Sequence, residues 1–136
     1  MALLITASSS DNLSKLASFA ESLSDVVVEC PDEDRIFIHA SAVYVSNFVN
    51  VLLQIGEKLL INKGYKISLM EPLVNETINK AFALGPEKAL TGPARRGDSE
   101  TINNHLVLLN NYENEKKIYE LLTDYIIKKY RNNEEL

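Results

Sequence analysis

A strand–helix–strand pattern fills the first thirty residues, and nothing after it clearly supplies another strand. Residues 2–7, ALLITA, form a short apolar run of strand type, closed by Ser8, Ser9, Ser10 and Asp11, which are helix-start residues. Leu13, Leu16, Ala17, Ala20 and Leu23 then recur at the spacing of one helix face. Residues 26–30, VVVEC, give a second apolar run before Pro31 breaks it. This is a βαβ unit whose strands suit a parallel sheet covered on both faces. Two such strands do not make a stable sheet alone. The unit is therefore the end of a larger sheet whose beginning is absent, or it pairs with another copy. No G-x-G-x-x-G turn occurs, so the phosphate-binding half of a dinucleotide fold is not in this sequence.

From Asp32 onward the pattern is helical. Residues 34–63 hold no proline and one glycine, Gly56, with Ile36, Phe37, Ala40, Val43, Tyr44, Phe48, Val51, Leu52, Ile55 and Leu59 distributed around nearly every side. The valines at 43, 45, 49 and 51 also satisfy a strand period, but an uninterrupted run of this length decides for helix. A helix apolar almost all round has to be buried by its own domain or by a partner chain. After a turn at 62–64, Ser68-x-x-Glu71 has capping-box spacing, with Pro72 immediately behind it. Leu69, Leu73, Thr77, Ala81 and Leu84 line one side of the next helix, which Gly85 and Pro86 stop. Asp98 or Ser99 caps a helix carrying Ile102, Leu106 and Leu109. A last amphipathic helix, marked by Ile118, Leu121, Leu122, Tyr125 and Ile126, frays over 131–135. The fold class is mainly α, a helical bundle preceded by a βαβ remnant.

The chain has 136 residues, with 14 Lys and Arg against 19 Asp and Glu, a net charge of −5. With no clustered basic stripe, duplex nucleic acid is not an expected partner. One cysteine, Cys30, cannot form an internal disulfide, and two histidines leave little from which to build a zinc module. Cys30 reads as a small core residue. No apolar run approaches the roughly 18 residues that span a bilayer, and residues 1–7 lack the basic start of a signal peptide. The expectation is a cytoplasmic protein with no membrane partner and no metal.

Two places could carry chemistry. His39, Ser46, Asn50, Gln54 and Glu57 lie within about 80° on a helical wheel, with Asn47 beside them. Such a stripe is either a row of hydrogen-bonding groups facing a cleft or the solvent side of the helix. Residues 89–98, ALTGPARRGD, combine Gly92 and Gly97, which admit positive φ, with Pro93 and with arginines just before a helix start. This loop could hold an anionic group, or simply connect two helices. His105, beside Leu106 and Leu109, reads as a partly buried structural histidine.

At these same residues the sequence resembles a known family. The segments HASAVYVSNF at 39–48 and ALTGPARRGD at 89–98, separated by a two-helix stretch, look like the C-terminal domain of NAD(P)-dependent oxidoreductases that begin with a Rossmann domain. That family is similar in architecture to pyrroline-5-carboxylate reductase and to the helical domain of 6-phosphogluconate dehydrogenase. The resemblance implies that residues 1–31 are the end of a Rossmann-like domain and residues 32–136 a helical substrate and dimerisation domain. The missing Rossmann domain would precede Met1. It implies His39 and Asn47 as catalytic residues, Ser46, Thr91, Gly92 and Arg96 as substrate-binding, and Pro93, Gly97 and Asp98 as the structural loop. Related hydroxyacid dehydrogenases carry a lysine one helical turn before the asparagine equivalent to Asn47. Here that position is Val43, which leaves His39 as the nearby proton donor. Further implications are a homodimer, a small-molecule substrate, and NAD(P) held by the full-length protein, with none expected on this chain alone. A stand-alone helical interaction module without catalytic activity is the alternative.

Overall fold

The computed structural model describes residues 2–131, and the chain divides into two compact units between Gln54 and Ile55. It is mainly helical, with a small parallel sheet at the N-terminal end, as the sequence implies.

In the first unit, β1 (Leu3–Ile5) and β2 (Val27–Glu29) pair in parallel, Leu3 opposite Val27 and Ile5 opposite Glu29. The ladder continues at both ends through Leu3 N–H to the Val26 carbonyl (2.9 Å) and Cys30 N–H to the Ile5 carbonyl (2.8 Å). Between the strands runs α1 (Ser10–Glu21), whose first turn is capped by the Ser9 hydroxyl accepting from the Asn12 amide. Ile5, Ala20 and Cys30 are the buried apolar residues of this unit, so Cys30 is the core residue its composition suggested. Val26 and Val28 remain about half exposed.

The long helix is formed of α2 (Asp32–Ala42), a π-helical turn (Val43–Phe48) and α3 (Val49–Ile61). Asp32, Glu33 and Asp34 sit in its first turn, where the helix dipole favours carboxylates. Its apolar side chains are not buried within this chain: Ile36, Phe37, Tyr44 and Val45 are each roughly 70% exposed. Nor is the run too short for a bilayer. Over Asp32–Ile61, thirty residues, an 18-residue window has a mean hydropathy of 1.6, long and apolar enough to cross one. Polar residues interrupt any contiguous apolar string here without lowering the average enough.

The second unit begins with the last turns of α3. Ile67–Met70 form a 3₁₀ turn leading into α4 (Glu71–Leu84). The expected capping box at Ser68 and Glu71 does not form. Met70 occupies the cap position without a side-chain bond, because Pro72 fits the first turn, where a missing N–H costs nothing. Two single-turn helices follow, α5 (Pro86–Ala89) and α6 (Pro93–Arg96), then α7 (Ser99–Leu108), a 3₁₀ turn (Leu109–Asn111) and α8 (Glu113–Arg131). Ile102, Leu109, Thr123 and Tyr130 are buried. The inner face of α8 therefore runs through Thr123 and Tyr130, while Leu121 and Tyr125, assigned to the apolar face from sequence, are 71% and 66% exposed. The expected fraying over 131–135 falls, from 132 on, outside the described residues.

The start of α8 is tied to the end of α3 by polar contacts. Lys58 Nζ donates to Glu115 Oε1 at 2.6 Å, and Asn62 Nδ2 donates to Tyr112 Oη at 2.9 Å. Lys58 also lies 5.5 Å from the centre of the Tyr112 ring. The Glu115 side chain is only 14% exposed, and the bond from Lys58 holds its carboxyl below the ordinary value of 4.5. A depressed carboxylate pKa adds stability that is present above the unfolded-state value and lost as pH falls through the folded one. The melting temperature should drop as pH falls from 5 to 3, and Glu115→Gln should flatten that dependence, measured by thermal unfolding across this range.

Candidate functional site

His39 lies in the last turn of α2, and Ser46 and Asn47 lie inside the π-helical turn. All three side chains are exposed, and among the described residues none has a hydrogen-bond partner. Further along, Gln54 Nε2 donates to Asn50 Oδ1 at 2.7 Å, pairing the two on the helix surface. The wider i→i+5 winding at 43–48 changes the phase of everything beyond it, so the single stripe drawn on an unbroken α-helical wheel holds only within each α-helical portion. The sequence hint of this turn is the crowd of β-branched valines at 43, 45, 49 and 51, which pack poorly against the preceding helical turn. Eight residues separate His39 from Asn47, about 12 Å of rise on a regular helix. The two side chains therefore present polar groups at separate levels of the rod, with Tyr44 and Phe48 edge-to-face at 5.1 Å between and beside them.

The loop at 89–98 belongs to the second unit. Gly92 has φ 107° and precedes α6; Gly97, in the left-handed region at φ 70°, ends it, its N–H bonding back to the Ala94 and Pro93 carbonyls. A side chain at Gly92 would meet nothing within 4 Å, so glycine is needed there for the backbone and not for space. Asp98 caps α7: Oδ1 accepts from the Thr101 amide at 3.0 Å and Oδ2 from the Thr101 hydroxyl at 2.8 Å. These two bonds, aided by the charges of Arg96 and His105, hold the Asp98 carboxyl below its ordinary value of 3.8. The Thr101 amide that could have met an outside anion is thus occupied by the chain's own carboxylate. Thr91 and Arg96 are exposed, and Arg96 Nη2 stands 4.0 Å from Asp98 Oδ2, a distance of weak attraction.

The firmer brace is Arg95, which sequence reasoning did not single out. Its guanidinium lies 4.2 Å from the centre of the Tyr130 ring. Tyr130 Oη donates to the Glu87 carbonyl at 3.1 Å, and Lys129 pairs with the Glu87 carboxylate at 3.6 Å. The loop is therefore clamped onto the end of α8. No sequence signal links Arg95 to a tyrosine thirty-five positions away. His105, expected to be partly buried, is exposed on α7, with Nδ1 2.9 Å from Tyr119 Oη.

The family model for a domain of unknown function, DUF2520, matches residues 1–126, and the chain belongs to this family. It is similar in structure to a Bacteroides fragilis protein described as a "putative NADP oxidoreductase", with a TM-score of 0.86 and 35% sequence identity. The match covers 92% of this chain and 48% of that one, so the chain spans about half the length of its structural relative. No functionally curated protein matches it.

Arg95→Ala should lower stability by about 0.5–1 kcal/mol, the range for an exposed cation–π contact, whereas Arg96→Ala should leave the melting temperature unchanged. Asp98→Ala should lower it and Asp98→Asn should restore most of the loss, since asparagine also caps helices. Thermal unfolding of the four variants reads both contrasts.

Proposed function

We propose that this chain is the C-terminal, substrate-binding and dimerisation part of an NADP-dependent oxidoreductase whose nucleotide-binding half lies outside it. The observation that carries this reading is the two-stranded parallel sheet, left without further strands among the described residues, in a chain that covers half of an NADP oxidoreductase relative. On this reading residues 1–31 are the end of the Rossmann-like domain and residues 32–136 the helical domain, of the type seen in 6-phosphogluconate dehydrogenase and pyrroline-5-carboxylate reductase.

The residues of this chain do not suit the nucleotide itself. The β1–α1 turn is built of Thr6, Ala7, Ser8 and Ser9 with no glycine, and the Ser9 hydroxyl takes the Asn12 amide that a pyrophosphate would approach. The dinucleotide therefore belongs to the missing half, and the role left to this chain is to hold and protonate the substrate. A carbonyl or imine that is reduced needs a proton at its oxygen or nitrogen. His39, whose side chain is exposed and has no hydrogen-bond partner among the described residues, supplies it. Asn47 hydrogen-bonds the substrate one level along the helix, with Ser46 beside it. Thr91, Gly92 and Arg96 contribute substrate contacts from a loop fixed by Pro93, Gly97 and Asp98.

Dimerisation answers the uncovered helix. Nine large apolar residues of Asp32–Ile61 are exposed, and a second copy covers such a surface by symmetry. Ser46, Asn47, Asn50 and Gln54 in the middle of that helix favour a protein partner over lipid, where each polar group would be costly. A cytoplasmic enzyme is the corresponding setting.

In the full-length enzyme, His39→Ala should reduce turnover by about a hundredfold or more, the usual cost of losing a general acid, with folding intact by circular dichroism. Full turnover in that variant would remove His39 from the mechanism. Sedimentation at tens of micromolar, roughly where weak association is detected, should give a dimer, and a clean monomer would count against the dimerisation role.

A further inference from the structure

The second unit contains a cavity of about 540 Å³ between the end of α3, α7 and the start of α8, within the size range of small-molecule sites. Leu59, Leu108 and Leu109 give it apolar walls, and the Tyr112 and Tyr119 rings complete them. These aromatic walls are fixed before any ligand arrives. Tyr112 is held by the Asn62 amide at its hydroxyl and by the Lys58 ammonium near its ring, and Lys58 is itself anchored on Glu115. Tyr119 is bonded to His105 Nδ1 at 2.9 Å, and the two rings meet edge-to-face at 5.7 Å. Walls already ordered lower the entropic cost of binding.

Three polar side chains on this lining, Lys63, His105 and Asn111, each keep a polar group without a partner among the described residues. The Lys63 ammonium, on the lining, has no hydrogen bond or ion pair among the described residues. Tyr119 Oη takes up Nδ1 of His105, and the other ring nitrogen, Nε2, has no partner among the described residues. A fixed apolar chamber with one ammonium, beside the polar groups of His105 and Asn111, matches a ligand with an aromatic or branched-aliphatic body and a single negative charge.

We propose that this cavity is a binding site for a small aromatic or branched-aliphatic monocarboxylate, its body against Leu59, Leu108 and Tyr112 and its carboxylate accepting from Lys63 and His105. The single ammonium suits a monoanion better than a phosphate, which calls for several cations or a row of backbone amides. The site lies within the second unit and does not depend on the oxidoreductase reading.

The test is titration of the purified protein with phenylacetate and, separately, with the uncharged phenylacetamide, followed by two-dimensional NMR. Phenylacetate should shift the resonances of Leu59, His105 and Tyr112 saturably, and phenylacetamide should bind about fivefold to tenfold more weakly, as expected for loss of a partly exposed charged hydrogen bond. Lys63→Gln should reduce phenylacetate affinity to the level of the amide, while Lys66→Gln leaves it unchanged. Leu108→Trp, a change at a side chain already 59% exposed, should fill the chamber and abolish binding of both compounds with the spectrum otherwise folded. Equal affinity for acid and amide, indifference to Lys63→Gln, or shifts confined to residues elsewhere would overturn the proposal. So would concentration-dependent broadening of the cavity resonances without any probe, which would make a second copy the occupant.

Discussion

The helix at Asp32–Ile61 leaves nine large apolar side chains exposed, Ile36, Phe37, Tyr44 and Val45 most of all, and this unmet burial governs what the chain can be. Fully burying one Ile, Phe or Val is worth about 1.5–3 kcal/mol. Covering five of the nine exposed ones therefore gives on the order of 10 kcal/mol, comparable to the total stability of a small domain. No charge pair on this surface approaches that scale, since an exposed pair such as Arg35 with Asp32 contributes about 1 kcal/mol at most. A rod of this kind is built to be covered, and its polar residues determine by what.

The sheet imposes the same demand through a different interaction. Strands of three residues form few ladder bonds, and a parallel pair has to be covered on its faces and continued at its edges. Ile5, Ala20 and Cys30 bury one side against α1, while Val26 and Val28 stay half exposed. The sheet and eight of the nine exposed apolar residues of the helix belong to the first unit of the chain.

Much of this was legible in the residues. The βαβ order, the helix after Pro31, the stop at Gly85 and Pro86 and the Asp98 cap follow from local chemistry and are found where that chemistry puts them. What was not legible depended on competition or on distant contacts. Ser68 lost its capping role because Pro72 is better placed to begin the helix. The π-helical turn, in a stretch rich in β-branched valines, shifts the phase of the helix, to which a fixed-period wheel is blind. The inner face of α8 passes through Thr123 and Tyr130 because Tyr130 bonds the Glu87 carbonyl and receives Arg95, contacts thirty-five to forty-three positions apart. For the candidate site, the sequence gives residue types and positions on the helix and loop, but the loop's brace proved to be Arg95, one position before the arginine of the recognised motif.

Within the second unit, α8 is held at its two ends by contacts of similar design. At the start, Lys58 bridges Glu115 and the Tyr112 ring; at the end, Arg95 covers Tyr130 while Lys129 reaches Glu87. At the start one cation, Lys58, is shared between ring and carboxylate; at the end Lys129, 5.6 Å from the Tyr130 ring, is shared in the same way beside Arg95, and both clamps are worth little as free energy beside the burial of Ile102 and Leu109. Their effect is directional. Burial fixes how much area α8 covers, and the terminal clamps fix which face it covers. Leu121 and Tyr125 are thereby held outward, and the rings of Tyr112 and Tyr119 are held around the cavity, so the geometry of both surfaces follows from a few weak but specific contacts.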